Sequence, residues 1–285
     1  MTDDRRITNL VRDAYDKSAE QYDAAGQMIF HPLGKMVADL LDLRPGERVL
    51  DIGCGRGACL FPVAHQVGPD GFVLGVDQAQ GMVDACTTDI LARGLEGRAR
   101  AELGNAQDFS FAEPFDAASA GMVLFLLPDA EKALACAYAA LRPGGRFAAT
   151  TFPTENGRLA AGWESAEILA GVLARFLPDG VEDPWKVVLG LGGPLVSAES
   201  TEAAFREAGF SEVNIRHVPA KSRFETIDDY LAWTRTVTTR MQWDLVPPER
   251  LTEATDEARE ALKVLAGPDG SLEFSCPTRT VLAVR

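Results

Sequence analysis

Apolar side chains recur at three- and four-residue steps at the start of the chain. Ile7, Leu10, Val11, Ala14, Tyr15, Ser18 and Tyr22 share one face of a helix predicted over 6–24 and ended by Gly26. The Tyr15-Asp16 and Tyr22-Asp23 pairs lie seven residues apart, two helical turns, so both rings project from one face. A second stripe, Leu33, Met36, Val37, Leu40 and Leu41, predicts a helix that starts at Pro32, a favoured first helical position. Arg44-Pro45-Gly46 stops it. From residue 47 the pattern changes to short apolar runs at 48–52, 72–76, 99–103, 115–120 and 146–152, which predict strands. Helical patterns at 57–67, 79–93 and 129–141 separate most of them, and Leu141-Arg142-Pro143-Gly144-Gly145 reads as a turn. This alternation predicts parallel strands joined by right-handed crossovers.

After residue 152 the pattern breaks. Gly and Pro punctuate 153–200, with helices between them. A short helix follows at 201–209, capped by Gly209, then a strand at 211–218. Helices at 226–243 and 249–265, a turn at Gly267-Pro268-Asp269-Gly270 and a closing strand at 272–284 complete the chain. The order suits a sixth strand and a seventh inserted antiparallel beside the fifth. Four parts are expected: an N-terminal helical cover at 1–46, a core at 47–152, a helical insertion at 153–200, and the rest of the core at 201–285 with a lid insertion at 224–266.

Composition narrows the partners. Of 285 residues, 46% are hydrophobic and 25% charged, as in a globular protein rather than a disordered one. Twenty-eight Lys and Arg against 42 Asp and Glu give a net charge of −14. With no basic cluster to bind phosphates, neither nucleic acid nor an anionic membrane is expected as a partner. No apolar run reaches 18 residues, and the N-terminus lacks a signal-peptide core, so a cytoplasmic protein is expected. Cys54, Cys59, Cys86, Cys136 and Cys276 are scattered without a C-x-x-C, so neither a disulfide framework nor a metal site is expected.

The segment Val49-Leu50-Asp51-Ile52-Gly53-Cys54-Gly55-Arg56-Gly57 carries the chemistry. A buried strand enters a glycine-rich turn that opens a helix, where the backbone can approach a ligand and offer free N–H groups. A dinucleotide fold uses a similar loop, and Asp77, at the end of the second strand, could hold two ribose hydroxyls in either case. Three features separate the readings. The loop is G-x-G-x-G with Asp51 two residues before it; Gly104-Asn105-Ala106-Gln107-Asp108 follows the third strand; and the C-terminal order is the one given above.

With these features the chain resembles the class I S-adenosylmethionine-dependent methyltransferases of the ubiquinone/menaquinone-biosynthesis-like, small-molecule type. The resemblance rests on Tyr15-Asp16, Tyr22-Asp23, 49–57, Gly75-Val76-Asp77, Met82, 104–108, Phe115-Asp116 and 141–145. It implies an α/β, doubly wound Rossmann-like fold: a seven-stranded sheet, mostly parallel with an antiparallel last strand, under a helical lid. It also implies S-adenosylmethionine as cofactor. Asp51 belongs to its loop, and Gly53, Cys54 and Gly55 line its methionine and ribose. Asp77 takes the ribose hydroxyls, Gln78 and Met82 flank the adenine, and Asn105, Ala106 and Gln107 lie at its edge. Gly121 sits near the methionine end, and Tyr15 and Tyr22 close the site. Asn105 stands where relatives often have Asp, and Phe125-Leu126 where they often have a His pair, so no base is expected there.

The expected reaction is methyl transfer to a small apolar or aromatic acceptor through O, N or C, in specialised metabolism. The alternatives are a methyltransferase-like cyclase that holds the cofactor without transferring its methyl and, further off, a nicotinamide dehydrogenase. Base candidates are His31, Tyr22 and Glu155. His65 is expected in solvent, His217 packed on the sheet, and Cys54 as a small loop residue. The acceptor pocket is expected from Met122, Phe125, Phe152, Trp163, Trp185 and Trp233, since such sites are mostly apolar. Trp243 also falls after residue 152, and any one tryptophan there could be ordinary packing. The first helix shows few anchors beyond its stripe, so it is expected to open easily. A homo-oligomer is left open.

Overall fold

The computed structural model describes residues 3–22, 30–155, 158–159, 164–191 and 193–285. Strands β1 (Arg48–Ile52), β2 (Phe72–Asp77), β3 (Ala99–Leu103), β4 (Phe115–Gly121) and β5 (Leu141–Thr151) pair in parallel. Thr154–Glu155 (β6) and Arg158–Leu159 (β7) form a small hairpin. The sheet is completed by β8 (Ser211–Phe224) and β9 (Leu272–Val284), in the order β3-β2-β1-β4-β5-β9-β8. β9 runs antiparallel to both its neighbours. Seven strands with an antiparallel last strand beside β5 match the sequence-based expectation.

Val49, Leu50, Ile52, Val73, Leu74 and Val76 are buried because helices cover both faces of the sheet. α1 (Asp3–Ser18) and α2 (Phe30–Leu40) precede the sheet, and α3 (Leu60–Val67), α4 (Gln80–Ala92) and α5 (Ala130–Ala140) connect its strands. The strand order reverses between β1 and β4, which opens a crevice at their C-terminal ends.

A second core lies over that edge. It joins α6 (Glu164–Leu173), α9 (Ile227–Thr234), α10 (Arg240–Trp243) and α11 (Leu251–Leu262) through Leu169, Leu173, Leu231, Trp243, Ala258 and Leu262. α7 (Pro184–Leu191) meets α1, where Val188 packs with Ile7, Val11 and Met241. α8 (Ala198–Glu207) covers the sheet beside β8, its Ser197 and Ser200 forming a reciprocal cap.

Several local readings need correction. The 226–243 helix is two helices, because Thr234 and Thr236 turn their hydroxyls onto the carbonyls of Leu231 and Trp233. Side chains that bond back to the backbone in this way compete with helix continuation. Residues 141–145 belong to β5 rather than to a separate turn. β8 extends six residues past 218 and pairs with β9 as a ribbon to Phe224–Leu272. Arg223 clamps it by meeting Glu225, Asp269 and Glu273. The alternation that marks a half-buried strand fades there, which hid this extension.

His217 is exposed, not packed: the helical cover reaches Val213 and Ile215 and stops. His65 is exposed, as expected. α2 begins at Phe30, two residues before Pro32. α1 ends at Ser18 with turns over 19–22, so Tyr22 lies past the helix rather than two turns along it, and Gly26 lies outside the described residues.

α1 is better anchored than its stripe suggested. Ile7, Val11 and Ala14 are buried, each larger side chain contributing roughly 1.5–3 kcal/mol. Asp16 Oδ1 accepts from Gly81 N at 2.8 Å, the Tyr15 hydroxyl lies 2.9 Å from Thr238 Oγ1, and Arg6 and Lys17 pair with Glu182 and Asp244. None of these partners lies near α1 in sequence, so periodicity could not reveal them.

Candidate functional site

β1 delivers its glycine turn into the crevice. Gly53 N and Cys54 N both donate to Val76 O, at 2.8 and 3.1 Å, tying the turn to β2. Gly55 has φ +49 and points its missing side chain into open space. That backbone conformation costs an ordinary residue roughly 1–2 kcal/mol. Asp77 stands opposite. Its Oδ2 accepts from Gly55 N at 2.9 Å and its Oδ1 from Ala79 N at 3.0 Å. Burial pushes its pKa up, and backbone N–H groups from Ala79, Gly55 and Gln78 oppose that rise. Two carboxylate oxygens with lone pairs to spare thus face the crevice.

The crevice is a cleft that opens to solvent. Its floor is Gly53, Gly55, Gly104 and Gly121; its apolar wall is Val76, Met82, Ala106 and Leu127; Tyr15 and Tyr22 roof it. The Tyr15 and Tyr22 rings meet edge to face at 5.8 Å. Burial pushes the Tyr15 hydroxyl to a pKa of about 12, so it stays protonated at neutral pH.

A second chamber, about 1190 Å³ and open to solvent, continues from the first. The two share Tyr22, Gly53, Gly55, Gly121 and Met122. The second is walled further by Phe30, His31, Leu33, Cys54, Arg56, Cys59, Asp89 and Arg93. α2 reaches the glycine loop by close contact: a Cβ on Gly34 would lie 2.0 Å from Ala58 O. His31 is half-buried. Burial lowers its pKa, and the charges of Arg93 and Arg56 lower it further against the pull of Asp89. Its imidazole is therefore neutral at pH 7.

The structure brings most of the sequence-predicted residues together but not all. Gly53, Gly55, Asp77, Gln78, Met82, Ala106, Gly121, Tyr15 and Tyr22 line the first chamber, and Cys54 and His31 the second. Asp51 lies beneath the loop and lines neither. Its Oδ1 accepts from Ser119 Oγ at 2.7 Å, and its Oδ2 is buried with no partner among the described residues. Asn105 is exposed. Its Oδ1 accepts from Gln107 N within the loop, while Gln107 Oε1 accepts from Asp129 N at the start of α5, so neither amide oxygen is free for the cleft. Of that trio only Ala106 lines the cleft.

Of the expected acceptor residues whose side chains are described, only Met122 lines either chamber. Phe125 and Phe152 pack on each other at 5.4 Å. Trp233 is buried in the lid core, 6.2 Å from Phe30. Apolar side chains on lid helices bury one another first, which removes them from the wall. Trp163, the Trp185 side chain and the Glu155 side chain lie outside the described residues. The structure adds Phe30, Arg56 and Arg93, of which only Arg56 sat in a motif. Among the described residues, no three His, Cys, Asp or Glu side chains cluster to hold a metal.

Asp51 yields a stability test. Burial pushes its pKa to about 7. The folded chain then keeps a proton that the unfolded chain releases, so stability falls as pH climbs through this window and levels off above about 7. Asp51→Asn is expected to lose less stability than wild type between pH 5 and pH 8, a difference on the order of a few kcal/mol. Thermal melts of cofactor-free protein at the two pH values check this; identical pH slopes would contradict it.

Comparison with known proteins agrees with the geometry. A methyltransferase-domain family model matches residues 49–145. The chain is 37% identical over 241 residues to the nocamycin O-methyltransferase of Saccharothrix syringae, covering 83% of this chain and 85% of that one. It is 40% identical over 148 residues to an aklanonic acid methyltransferase of Streptomyces sp. strain C5, covering 52% and 67%. The solved YcgJ protein of Bacillus subtilis shares the fold, with a TM-score of 0.58 at 17% identity over 90% of this chain and 98% of that one. Similarity of this depth along most of two chains, on a sheet of this order, identifies the chain as a member of the class I S-adenosylmethionine-dependent methyltransferases.

Proposed function

We propose that this chain moves the methyl group of S-adenosylmethionine to a small apolar or aromatic acceptor of specialised metabolism. The observation that carries the reading is the paired geometry of Gly55 and Asp77. One leaves room for a ligand backbone, and the other aims a carboxylate across it, where a ribose would present two hydroxyls. The slot of Val76, Met82 and Ala106 beside them suits an adenine ring. The relatives named for nocamycin and aklanonic acid favour a small organic acceptor, and they favour transfer over the cyclase alternative.

When bound, the cofactor supplies an activated methyl on a sulfonium centre. The chain's own residues position and enclose it. Gly53, Gly55 and Asp77 would fix the adenosyl part, and Gly121 and Met122, shared by both chambers, mark where donor and acceptor would meet. Tyr15 and Tyr22 shut water out from above. Alignment and exclusion of water supply up to about 7–11 kcal/mol in well-oriented reactions. Tyr15 holds its proton too tightly to act as a base. His31 is the neutral imidazole in the acceptor chamber and the one proton acceptor proposed there. The charge of −14 supports a small molecule over nucleic acid, and a cytoplasmic setting is part of the same reading. Among the described residues no helix is long and apolar enough to cross a membrane.

Gly55→Val is expected to lower S-adenosylmethionine affinity by roughly tenfold or more, from backbone strain and lost space together. Its circular dichroism should stay that of wild type. Normal affinity in calorimetric titration would contradict the loop assignment. The activity itself is tested by incubating the protein with S-adenosylmethionine and an extract of small molecules. S-adenosylhomocysteine and a matching methylated product are expected; neither forming with any acceptor would overturn the reading.

A further inference from the structure

The second chamber has a charge pattern that the cofactor reading does not use. It leads from the shared junction at Gly121 and Met122 outward between the start of α2 and the end of α4. Two guanidiniums stand along this path. Arg56 is committed: Nη2 lies 2.9 Å and Nε 3.2 Å from Asp89 Oδ2, and Nη1 donates to Glu20 O at 3.0 Å. Arg93 is not. Its guanidinium lies 4.0 Å over the Phe61 ring and makes no ion pair among the described residues. The described side chains facing the chamber therefore sum to one positive charge, in a chain whose net charge is −14.

The rest of the described wall is apolar or neutral. Phe30, Leu33 and Met122 offer carbon, and half-buried His31 offers one ring N–H in its neutral form. Arg93 is exposed at the chamber's rim, with its planar guanidinium over the Phe61 ring, and a guanidinium fork suits a carboxylate. An apolar body with one acid group would satisfy the whole lining at once.

Resting on the methyl-transfer reading, we propose that the acceptor is an organic acid whose carboxylate is held at Arg93, with its apolar body directed to the junction at Met122. The acid group here is a handle that sets the acceptor's register; the methylated atom lies at the other end, where the chambers meet. The cofactor also carries a carboxylate, so the test separates the two sources.

Binding of S-adenosylhomocysteine and of 5′-methylthioadenosine, which lacks the carboxylate, is measured on wild type, Arg93→Gln and Arg93→Lys. Binding of 2-naphthoate and the neutral 2-naphthamide is then measured on each protein saturated with S-adenosylhomocysteine. Wild type is expected to bind the naphthoate roughly ten- to hundredfold tighter than the amide. Arg93→Gln should abolish that preference with S-adenosylhomocysteine affinity unchanged, and Arg93→Lys, which keeps the charge without the fork, should keep only part of it. A wild type that binds no naphthoate or shows no preference overturns the proposal, as does a preference that survives Arg93→Gln. So does a loss of S-adenosylhomocysteine affinity in Arg93→Gln with methylthioadenosine unaffected, which would give the guanidinium to the cofactor. Wild type failing to bind S-adenosylhomocysteine would instead contradict the underlying methyl-transfer reading, before any naphthoate is added.

Discussion

Asp77→Ala is expected to weaken S-adenosylmethionine binding by roughly 10²–10⁴-fold. Two ribose hydroxyls donating to a carboxylate are each worth about 1.5–3 kcal/mol, and the substitution removes both acceptors. It also removes the oxygens that receive Gly55 N and Ala79 N, so the glycine turn keeps only its backbone ties from Gly53 N and Cys54 N to Val76 O on β2. The fold should survive, because the sheet core on either side of Asp77 is built from Leu50, Leu74, Val76 and their neighbours. Asp77→Asn keeps one oxygen acceptor and should fall between the two. Calorimetric titration showing wild-type affinity in Asp77→Ala would remove Asp77 from the site.

Removing residues 1–26 should lower turnover by roughly 10²-fold or more while the sheet remains folded. The deletion takes away Tyr15 and Tyr22, the roof of the first chamber. It also uncovers Leu126, Val188 and Met241, which pack only in the small cluster with α1 and not in the cores of the sheet. The anchors at Gly81 N and Thr238 link this helix to α4 and to the lid break before α10. They predict that α1 is ordered while the site is closed, and that it opens as a unit rather than fraying residue by residue. Hydrogen exchange over 6–22 should slow when cofactor is added. Full activity in the truncated protein, or exchange that ignores the cofactor, would make α1 an appendage.

Much of the core was legible because its residues are neighbours in sequence. The glycine turn, Asp77 and Ala106 each follow a strand whose apolar run announces it. The strand order followed from counting elements after residue 152. Asp51 shows where this stops working. A motif position says that an acid precedes the loop, but only the sheet shows that Ser119 on β4 takes its oxygen and seals it below the site. Asn105 and Gln107 do not line the cleft for a related reason: the Asn105 amide bonds within its own turn, and that of Gln107 bonds to Asp129 at the start of α5. The lid was least legible. Phe125, Phe152 and Trp233 have the chemistry of an acceptor wall, yet they satisfy each other and the lid core. The second chamber is lined instead by Phe30, at the start of α2, and Arg93, just past the end of α4, neither of which a motif marked.

The most direct test of the account is a crystal structure of the protein with S-adenosylhomocysteine. The adenosyl group is expected in the first chamber, with both ribose hydroxyls about 2.5–2.9 Å from the Asp77 carboxylate and the adenine between Met82 and Ala106. The homocysteine sulfur should point toward Gly121, at the junction with the second chamber. A cofactor bound elsewhere, or one in the cleft that leaves Asp77 untouched, would contradict it.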